Sequence, residues 1–306
     1  MGVKSSSQGE ATLDGTLPSR LMKSEDTLVV IYTPRSELLE PARFIRSMFR
    51  DLAASRELAW RLFVRDLSAR YRQSLLGYVW AFLPPLATTI PFVFLRSQGV
   101  FKTAETSIPY PAYVVIGMLF WQVFVDAVQM PLKVVTAAKP MLSKIQFPPE
   151  AVLMAGLGDV LFSFLIRLVL LVAVFLWYGL TPPTTALLMP VVVVALVILG
   201  FMFGLLVTPF GILYSDVMQS LSLITTFWLF LTPVIYPPRE AGLAGLLSRA
   251  NPVSPLVIVG RDWLTSGKTT FLPEFVIVAA LSLVALFVGW VGYRIALPHI
   301  VARMGN

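Results

Sequence analysis

Long apolar runs separated by short polar segments occupy the chain after residue 72. A membrane-spanning helix needs about 20 consecutive, mostly apolar residues. The run between Arg167 and Asp216 contains 48 uncharged residues, which is too many for one span, and the turn-forming segment 179–185 (GLTPPTT) divides it. The pattern predicts an all-α integral membrane protein with six transmembrane helices, near residues 76–96, 110–128, 152–178, 186–213, 217–236 and 274–296.

A helical pattern of a different kind precedes the first span. Between Arg56 and Tyr78, apolar and aromatic side chains recur every three or four residues, starting with Trp60, whereas Arg61 and Arg65 fall on another face. A helix divided in this way is typical of the membrane–water interface. A cytosolic helix that packs on a partner is the alternative.

Composition narrows the class of protein. Of the 306 residues, 57% are hydrophobic and only 13% are charged, and the mean hydropathy is +0.77. Soluble domains contain about 25% charged residues, so this composition excludes an ordinary soluble enzyme and a disordered chain. The chain has no cysteine and one histidine, which excludes a disulfide framework and argues against a His/Cys metal site.

The distribution of basic residues predicts the orientation in the membrane. The formal net charge is +7, and residues 1–72 contain 12 of the 24 Lys and Arg residues. Attraction to anionic lipid headgroups explains this excess better than nucleic-acid binding, because most of these arginines lie beside a hydrophobic span. With the N-terminus inside, 17 basic residues lie on the inner side and 6 on the outer side. The positive-inside rule therefore predicts cytoplasmic tails at 1–37 and 298–306 around a transmembrane domain at 73–297.

Two connections between the predicted spans are unusual. The segment 237–273 is apolar but is broken by the dipeptides NP and SP within 251–255, a pattern typical of short re-entrant helices in the outer leaflet. A folded surface loop is the alternative. The inner segment 131–149 is basic, and its prolines at 140, 148 and 149 predict a short helix over Met141–Phe147.

The ionisable residues expected to be buried in the membrane are few and do not form a catalytic cluster. They are Asp126, Asp159, Arg167 and Asp216. Asp159 and Arg167 are eight residues apart, about 12 Å along a helix axis, so we expect each to pair with a residue of another helix. A functional role for these intramembrane charges is the alternative.

Two short glycine motifs carry little weight. The tripeptide GKT at 267–269 lacks the upstream glycine and the preceding strand of a phosphate-binding loop, so it predicts no nucleotide site. Gly200 and Gly204 have the small-xxx-small spacing that permits close helix contact and is weak evidence of dimerisation.

Four strings follow one another along the chain: LVVIYTP at 28–34, RDLSARYRQSLLGYVW at 65–80, LTPVIYP at 231–237, and NPVSPL at 251–256 followed by GRD at 260–262. These strings and their order resemble the ABC-2-type permease family, in particular the subfamily that exports polysaccharides and O-antigens. The resemblance runs from about residue 28 to the C-terminus. The family often has an Arg-Asp pair after the fourth span, where this chain has Ser215-Asp216. The chain therefore keeps the carboxylate but lacks the basic residue that could form a salt bridge at this position.

The resemblance implies an exporter built from two copies of this permease and two separate ATPase subunits, which bind and hydrolyse ATP. The chain itself is then expected to be no enzyme and to bind no cofactor. The amphipathic interface helix region, here 38–72, is expected to rest on the inner leaflet of the bacterial inner membrane. The loop between the second and third spans is expected to dock into the ATPase through Lys139, Met141, Lys144, Phe147 and Glu150; solvation alone also explains charges there.

The resemblance also implies a path for a lipid-linked polysaccharide. Sugars slide along flat, weakly polar walls, and aromatic rings provide them. The candidate channel residues are Phe120, Trp121, Phe124, Phe227, Trp228, Phe230 and Tyr236; lipid-facing or interfacial aromatics are the alternative. Arg70, Tyr71 and Arg72 are candidates for contact with the pyrophosphate of the substrate, because Arg matches phosphate oxygens bidentately. Anionic lipid is their alternative ligand.

The leading hypothesis is therefore the permease subunit of an ATP-driven exporter of lipid-linked polysaccharide, with O-antigen as the first candidate. A capsule or teichoic-acid exporter of the same type is the nearest alternative. A gradient-driven lipid or glycan carrier ranks lower, because no internal repeat is visible and the acidic residues lie towards the span ends. The lack of clustered carboxylates on a soluble loop disfavours a membrane glycosyltransferase.

Overall fold

A computed structural model describes residues 41–72, 82–99, 106–142, 148–238, 245, 248–268 and 271–304. This part of the chain is predominantly helical and contains no β-strand, which confirms the all-α fold class. Its helices are α1 Pro41–Ala54, α2 Arg56–Arg72, α3 Leu83–Ser97, α4 Tyr110–Leu142, α5 Glu150–Tyr178, a 3-10 helix Thr184–Leu188 followed by α6 Met189–Leu213, α7 Val217–Leu231, α8 Val253–Thr265 and α9 Leu272–Met304.

Four of the six predicted spans are confirmed by helices long and apolar enough to cross a membrane. They are Tyr110–Met141, Glu150–Tyr178, Thr184–Leu213 and Leu272–Ala296, with 32, 29, 30 and 25 residues. The helices at the other two predicted positions, α3 and α7, have 15 residues each, which is short for a bilayer. Residues 73–81, which include the start of the predicted first span, lie outside the described residues.

The predicted end of the fifth span was wrong by five residues. α7 ends at Leu231 rather than at residue 236. Pro233 has no backbone N–H and restricts the residue before it to an extended backbone. Thr232 accordingly has φ −100° and ψ 136°, so the chain leaves the helix there.

The prediction of a separate helix beginning at Met141 was also wrong. α4 continues without a break through Pro131 and Pro140 to Leu142. A proline inside a transmembrane helix is tolerated where neighbouring helices compensate for the lost backbone hydrogen bond. Residues 143–147, the remainder of the predicted docking helix, lie outside the described residues.

α4 is the central helix and contacts α3, α5, α6, α7 and α8. Its closest approach is to α6, where a Cβ at Gly200 would lie 2.7 Å from the carbonyl oxygen of Phe124, and one at Gly204 would lie 2.5 Å from that of Val128. Small residues let helix backbones approach in this way. The small-xxx-small pair therefore serves a contact within the chain and gives no support to dimerisation.

α8 is an interior helix that packs against α4, α6 and α9. Eleven of its thirteen residues are buried, so the surface-loop interpretation does not hold for this segment. A Cβ at Gly260 would lie 2.9 Å from Cε2 of Phe120. Because Phe120 is ten residues into α4, α8 reaches about 15 Å along that helix.

The amphipathic segment forms two helices that lie against the bundle. On α1, Phe44, Met48 and Asp51 are buried and contact the main body. α2 packs on α5 through Phe63, whose ring lies 3.1 Å from the position of a Cβ at Gly158. The indole of Trp60 stays 64% exposed, so the aromatic face predicted for α2 is divided between a protein contact and the exterior.

Candidate substrate path and coupling site

The seven candidate channel rings do not share one surface. Phe120, Trp121 and Phe124 are buried in the protomer interior. The ring of Phe124 packs edge-on against Trp228, with 5.3 Å between centroids, and against Phe203, with 6.4 Å. The three α4 rings are therefore core residues of the protomer, and their predicted place along a channel stays a prediction.

Trp228 is held in place by a polar contact that the sequence did not reveal. Its Nε1 donates to Oδ1 of Asn251 at 3.0 Å, and the same oxygen accepts the backbone N–H of Val253 at 3.0 Å. The amide nitrogen of Asn251 donates to Oγ1 of Thr232 at 2.8 Å. The buried Asn251 thus connects the end of α7 to the start of α8, and Trp228 takes part in this connection.

Phe227 and Phe230 face the exterior of the protomer, with exposed fractions of 68% and 50%. The ring of Phe230 lies edge-on to Phe92 of α3, with 6.3 Å between centroids. The half-buried Tyr236 donates its hydroxyl to the carbonyl oxygen of Phe230 at 2.9 Å. These contacts define an exposed aromatic surface shared by α3 and α7.

The face of α7 that carries Phe230 also carries polar side chains nearer the start of the helix. Gln219, Ser222 and Thr226 are exposed, and their spacing of three and four residues aligns them with Phe230 on one helical face. Gln219 lies near the start of α7, and Thr226 donates its hydroxyl to the carbonyl oxygen of Ser222 at 2.8 Å. Exposed amide and hydroxyl groups are less favourable against hydrocarbon than apolar side chains. This stripe therefore fits contact with water, a polar substrate or another protein chain better than contact with lipid tails.

Arg261 fixes α8 to the segment that follows α7. Its guanidinium is buried and donates to the carbonyl oxygens of Pro233 at 3.1 Å and Val234 at 2.8 Å. It also lies over the ring of Tyr113, 3.6 Å from the centroid, a cation–π geometry. Gly117 makes room for it, because a Cβ there would overlap the guanidinium and lie 2.6 Å from the Val234 oxygen.

The neighbouring carboxyl of Asp262 is perturbed by the same surroundings. Partial burial raises the pKa of Asp262 above its ordinary value, while the charges of Arg261 and Lys268 oppose the increase. Among the described residues no group of three or more His, Cys, Asp or Glu side chains is placed to hold a metal ion. The connection between α8 and the segment after α7 therefore depends on Arg261 and the two carbonyl oxygens to which it donates.

Arg70 and Asp159 form a bidentate ion pair that ties α2 to α5. The two guanidinium nitrogens lie 2.6 and 2.7 Å from the two carboxylate oxygens. The side chains remain 40% and 28% exposed, so the pair is open to solvent or headgroups. Arg70 is thus engaged within the protomer, and the side chains of its neighbours Tyr71 and Arg72 lie outside the described part.

The second predicted pairing lies deeper in the bundle. Arg167 of α5 donates to the carboxylate of Asp126 on α4 at 2.6 Å. Arg167 is buried, and Asp126 is about one quarter exposed. The prediction that Asp159 and Arg167 each find a partner on another helix is confirmed. Both pairs join α5 to a neighbouring element.

Two of the five candidate docking residues are engaged inside the protomer. Lys139 donates from its Nζ to the carbonyl oxygen of Ile212 at 2.7 Å. Ile212 lies at the C-terminal end of α6, where the helix dipole favours a cation. Glu150 is buried and pairs with Arg294 within the protomer, and its predicted contact with a partner stays a prediction. Met141 is half-buried against Ala151 and its neighbours. Lys144 and Phe147 lie outside the described residues.

Arg294 joins three elements at one end of the bundle. From α9 it donates to Oε1 of Glu150 at the start of α5, at 3.0 Å, and to the carboxylate of Asp51 on α1. It also approaches Oγ of Ser47 at 3.4 Å. A single guanidinium therefore holds α1, α5 and α9 together, and we refer to Arg294, Glu150 and Asp51 as the Arg294 cluster.

The sequence pattern alone assigns no role to Arg294 or Asp51. Arg294 is one of the 17 basic residues that the positive-inside count places on the inner side. Asp51 falls on the buried face of α1 with Phe44 and Met48, at spacings of four and three residues. An acidic residue on the apolar face of an amphipathic helix indicates a buried partner, and this signal was available.

Comparison with known families establishes the class of protein. Residues 57–264, more than half of the chain, match the family described as ABC-2 type transporter. The chain belongs to this family.

Among its relatives, the O-antigen export system permease protein RfbA of Myxococcus xanthus is 27% identical over 251 residues, which cover 79% of this chain and 92% of the relative. Two proteins of the same name from Klebsiella pneumoniae are 23% and 24% identical over 215 residues, covering 68% of this chain and 80% of each relative.

Proposed function

We propose that this chain is the permease subunit of an ATP-driven exporter that moves lipid-linked polysaccharide, O-antigen in the first place, across the bacterial inner membrane. The observation that carries this proposal is the similarity to the Myxococcus xanthus permease over 92% of that protein's length. The ABC-2 family match supports the same conclusion. A capsule or teichoic-acid exporter remains the alternative of the same type.

The proposed assembly contains two copies of this chain and two ATPase subunits. Each copy crosses the membrane six times, with both termini in the cytoplasm, and the positive-inside count supports this orientation. The segment around α8 re-enters the outer leaflet. Its burial, and its approach to Phe120 ten residues into α4, support this placement.

The sugar path runs along the surface shared by α3 and α7, where the two copies face each other. The exposed rings of Phe227 and Phe230 and the polar stripe from Gln219 to Thr226 support this assignment. By contrast, the exteriors of α5 and α9 are mostly aliphatic, which suits contact with lipid tails. Rings give a sugar chain stacking surfaces without tight binding, while hydroxyl and amide groups replace its water contacts.

The ATPase docks on the loop between α4 and α5. Lys144 and Phe147 remain the candidate contacts, while Glu150 transmits the position of this loop to the Arg294 cluster. The order along the chain supports this division, since Glu150 begins α5 directly after the loop.

The first test concerns the source of energy. We expect the purified chain alone to show no ATP hydrolysis, and a tightly bound ATPase to co-purify when the protein encoded by the neighbouring gene is co-expressed. Lys144→Glu combined with alanines across residues 143–147 is expected to abolish that association. Nucleotide turnover by the isolated chain, or export that collapses with an ion gradient while ATP is present, would contradict the proposal.

The second test concerns the path. Phe227→Ala together with Phe230→Ala is expected to reduce export about tenfold while the complex assembles normally, because the exposed rings support no core packing. Phe287→Ala on the exterior of α9 is the matched control and is expected to leave export unchanged. Equal export by the α7 variant and the control would remove the aromatic path. The readout is surface polysaccharide per assembled complex.

A further inference from the structure

Arg96, in the last turn of α3, carries a guanidinium without an anionic partner. No carboxylate of the described residues forms a salt bridge with it. Its Nη1 is buried and has no hydrogen-bond partner in the described part of the chain. The guanidinium lies over the ring of Tyr110, 4.1 Å from the centroid, a cation–π contact that holds the group in place but accepts no N–H in the plane of the guanidinium.

The neighbours of Arg96 place it at one end of the exposed aromatic surface shared by α3 and α7. Phe92 lies one turn before Arg96 on the same face of α3, and its ring is edge-on to Phe230 of α7, with 6.3 Å between centroids. Tyr110, which lies under the guanidinium, donates its hydroxyl to the carbonyl oxygen of Ile235 at 3.0 Å. Arg96 therefore lies just beyond the rings, beside the segment that follows α7.

A second stacked guanidinium adds positive charge to the same end of the bundle. Arg261 lies over Tyr113, one turn after Tyr110 on α4. It is buried and donates to two carbonyl oxygens, but its Nε has no hydrogen-bond partner among the described residues. Asp262, the next residue in the chain, is the carboxylate whose charge acts on Arg261. Two guanidiniums thus face one carboxylate around these rings, and the local field favours a further anion.

We propose that Arg96 binds a lipid-linked phosphate group at this end of the aromatic surface, namely the pyrophosphate of the glycolipid that the chain is proposed to export. The inference rests on the proposed function. Arg96 is half-buried rather than enclosed, so a ligand can reach its guanidinium, which matches phosphate oxygens in bidentate geometry. A buried N–H without an acceptor is costly, and a phosphate oxygen removes that cost.

The adjoining rings favour the glycolipid over an ordinary anionic phospholipid, which offers the same phosphate chemistry. Phe92 and Phe230 lie within one turn of the guanidinium and give the first sugars a stacking surface. In the proposed orientation this is the outer mouth of the path. Arg96 then holds the substrate after its sugar chain has crossed the membrane.

The absence of cysteine from the chain allows a measurement confined to this end. Gln98 is exposed two residues after Arg96, so Gln98→Cys carries a fluorophore beside the guanidinium. The full labelled chain, in phosphatidylcholine nanodiscs, is titrated with a polyprenyl pyrophosphate linked to one spin-labelled N-acetylglucosamine, and in parallel with headgroup spin-labelled phosphatidylglycerol. Quenching reports binding here and not at the opposite membrane surface, about 30 Å away. We expect the glycolipid probe to bind about tenfold more tightly than phosphatidylglycerol.

Variants separate the guanidinium from charge in general. Arg96→Gln is expected to weaken binding of the glycolipid probe about tenfold, the effect of losing hydrogen bonds to a charged group. Arg96→Lys keeps the charge but loses the planar fork, and is expected to bind with intermediate affinity. Arg249→Gln removes an exposed arginine before α8 and is the matched control, expected to bind like the parent.

The proposal is overturned if Arg96→Gln binds the glycolipid probe as tightly as the parent, if the control loses binding equally, or if phosphatidylglycerol binds as tightly as the probe. The melting temperature of each variant shows whether it folds. If Arg96→Gln does not fold, Arg96→Lys decides, and parental affinity in that variant overturns the bidentate site. The assay contains no ATPase, so failure of this site leaves the transport proposal standing, and a chain that binds the probe here without ATP-driven export contradicts only the proposed function.

Discussion

Replacing Arg294 with methionine removes the cation of the Arg294 cluster while keeping a long side chain. Among the described residues, the change leaves Glu150, whose side chain is 2% exposed, without a positive partner, and it leaves Asp51, 12% exposed, with only Arg50 at 3.9 Å. Removing one member of a buried ion pair costs about 3–5 kcal/mol, because an uncompensated charge stays buried. Ser47 remains close to the site and Asp51 retains some exposure, so we expect a loss near the lower end, about 3 kcal/mol.

The measurement is the free energy of unfolding in mixed micelles, followed by titration with a denaturing detergent. Arg61→Met is the matched control, since its pair with Glu57 is 74% exposed on both sides and such pairs contribute at most about 0.5 kcal/mol. Adding Glu150→Gln to Arg294→Met is expected to restore part of the loss, because it removes the most buried unpaired charge. A loss below about 1 kcal/mol in Arg294→Met, or no recovery in the double variant, would refute the assignment.

Three further changes test separate contacts. Gly117→Ala is expected to lower the melting temperature by several degrees, because its Cβ would overlap Arg261, whereas Gly292→Ala, with nothing within 4 Å, should leave it unchanged. Asp159→Asn is expected to cost only about 1 kcal/mol, since its ion pair is partly exposed, and hydrogen exchange should become faster along α2 but not along α1. Trp228→Phe is expected to lower the free energy of unfolding by about 1–2 kcal/mol, because the buried Asn251 loses one of its hydrogen-bond donors. Thermal unfolding measures the effect, and an unchanged melting temperature would show that this hydrogen bond does not stabilise the fold.

The sequence predicts the elements that depend on length and charge. Four spans follow from apolar length alone, and charge in an apolar helix predicts a partner, as Asp159 and Arg167 confirm. The end of α7 at Leu231 also follows from the sequence, because Pro233 has no backbone N–H to continue the helix hydrogen bonds. These features are local, so a single sequence contains them.

The direction of each aromatic ring does not follow from the sequence in the same way. Phe227 and Trp228 are adjacent, yet the first is mostly exposed and the second packs inward on Phe124. Adjacent residues of a helix point about 100° apart, and α7 carries apolar residues on every side. Which ring is buried in the core depends on how α4, α6 and α7 pack together. That packing depends on glycines of α6 that are distant in sequence from the rings.

The two attachments of the α1–α2 segment differ in strength, and the difference bears on coupling. The Arg70–Asp159 pair is partly exposed, so ions and headgroups compete for it, whereas the Arg294 cluster is shielded. Glu150 follows the proposed docking loop directly and contacts the same guanidinium as Asp51. In the proposed assembly, a displacement of that loop by the ATPase would move Glu150 first, and Arg294 would pass the movement to α1 and α9 together. The end of α2, held by the weaker pair, is the part of this segment that separates from α5 most readily.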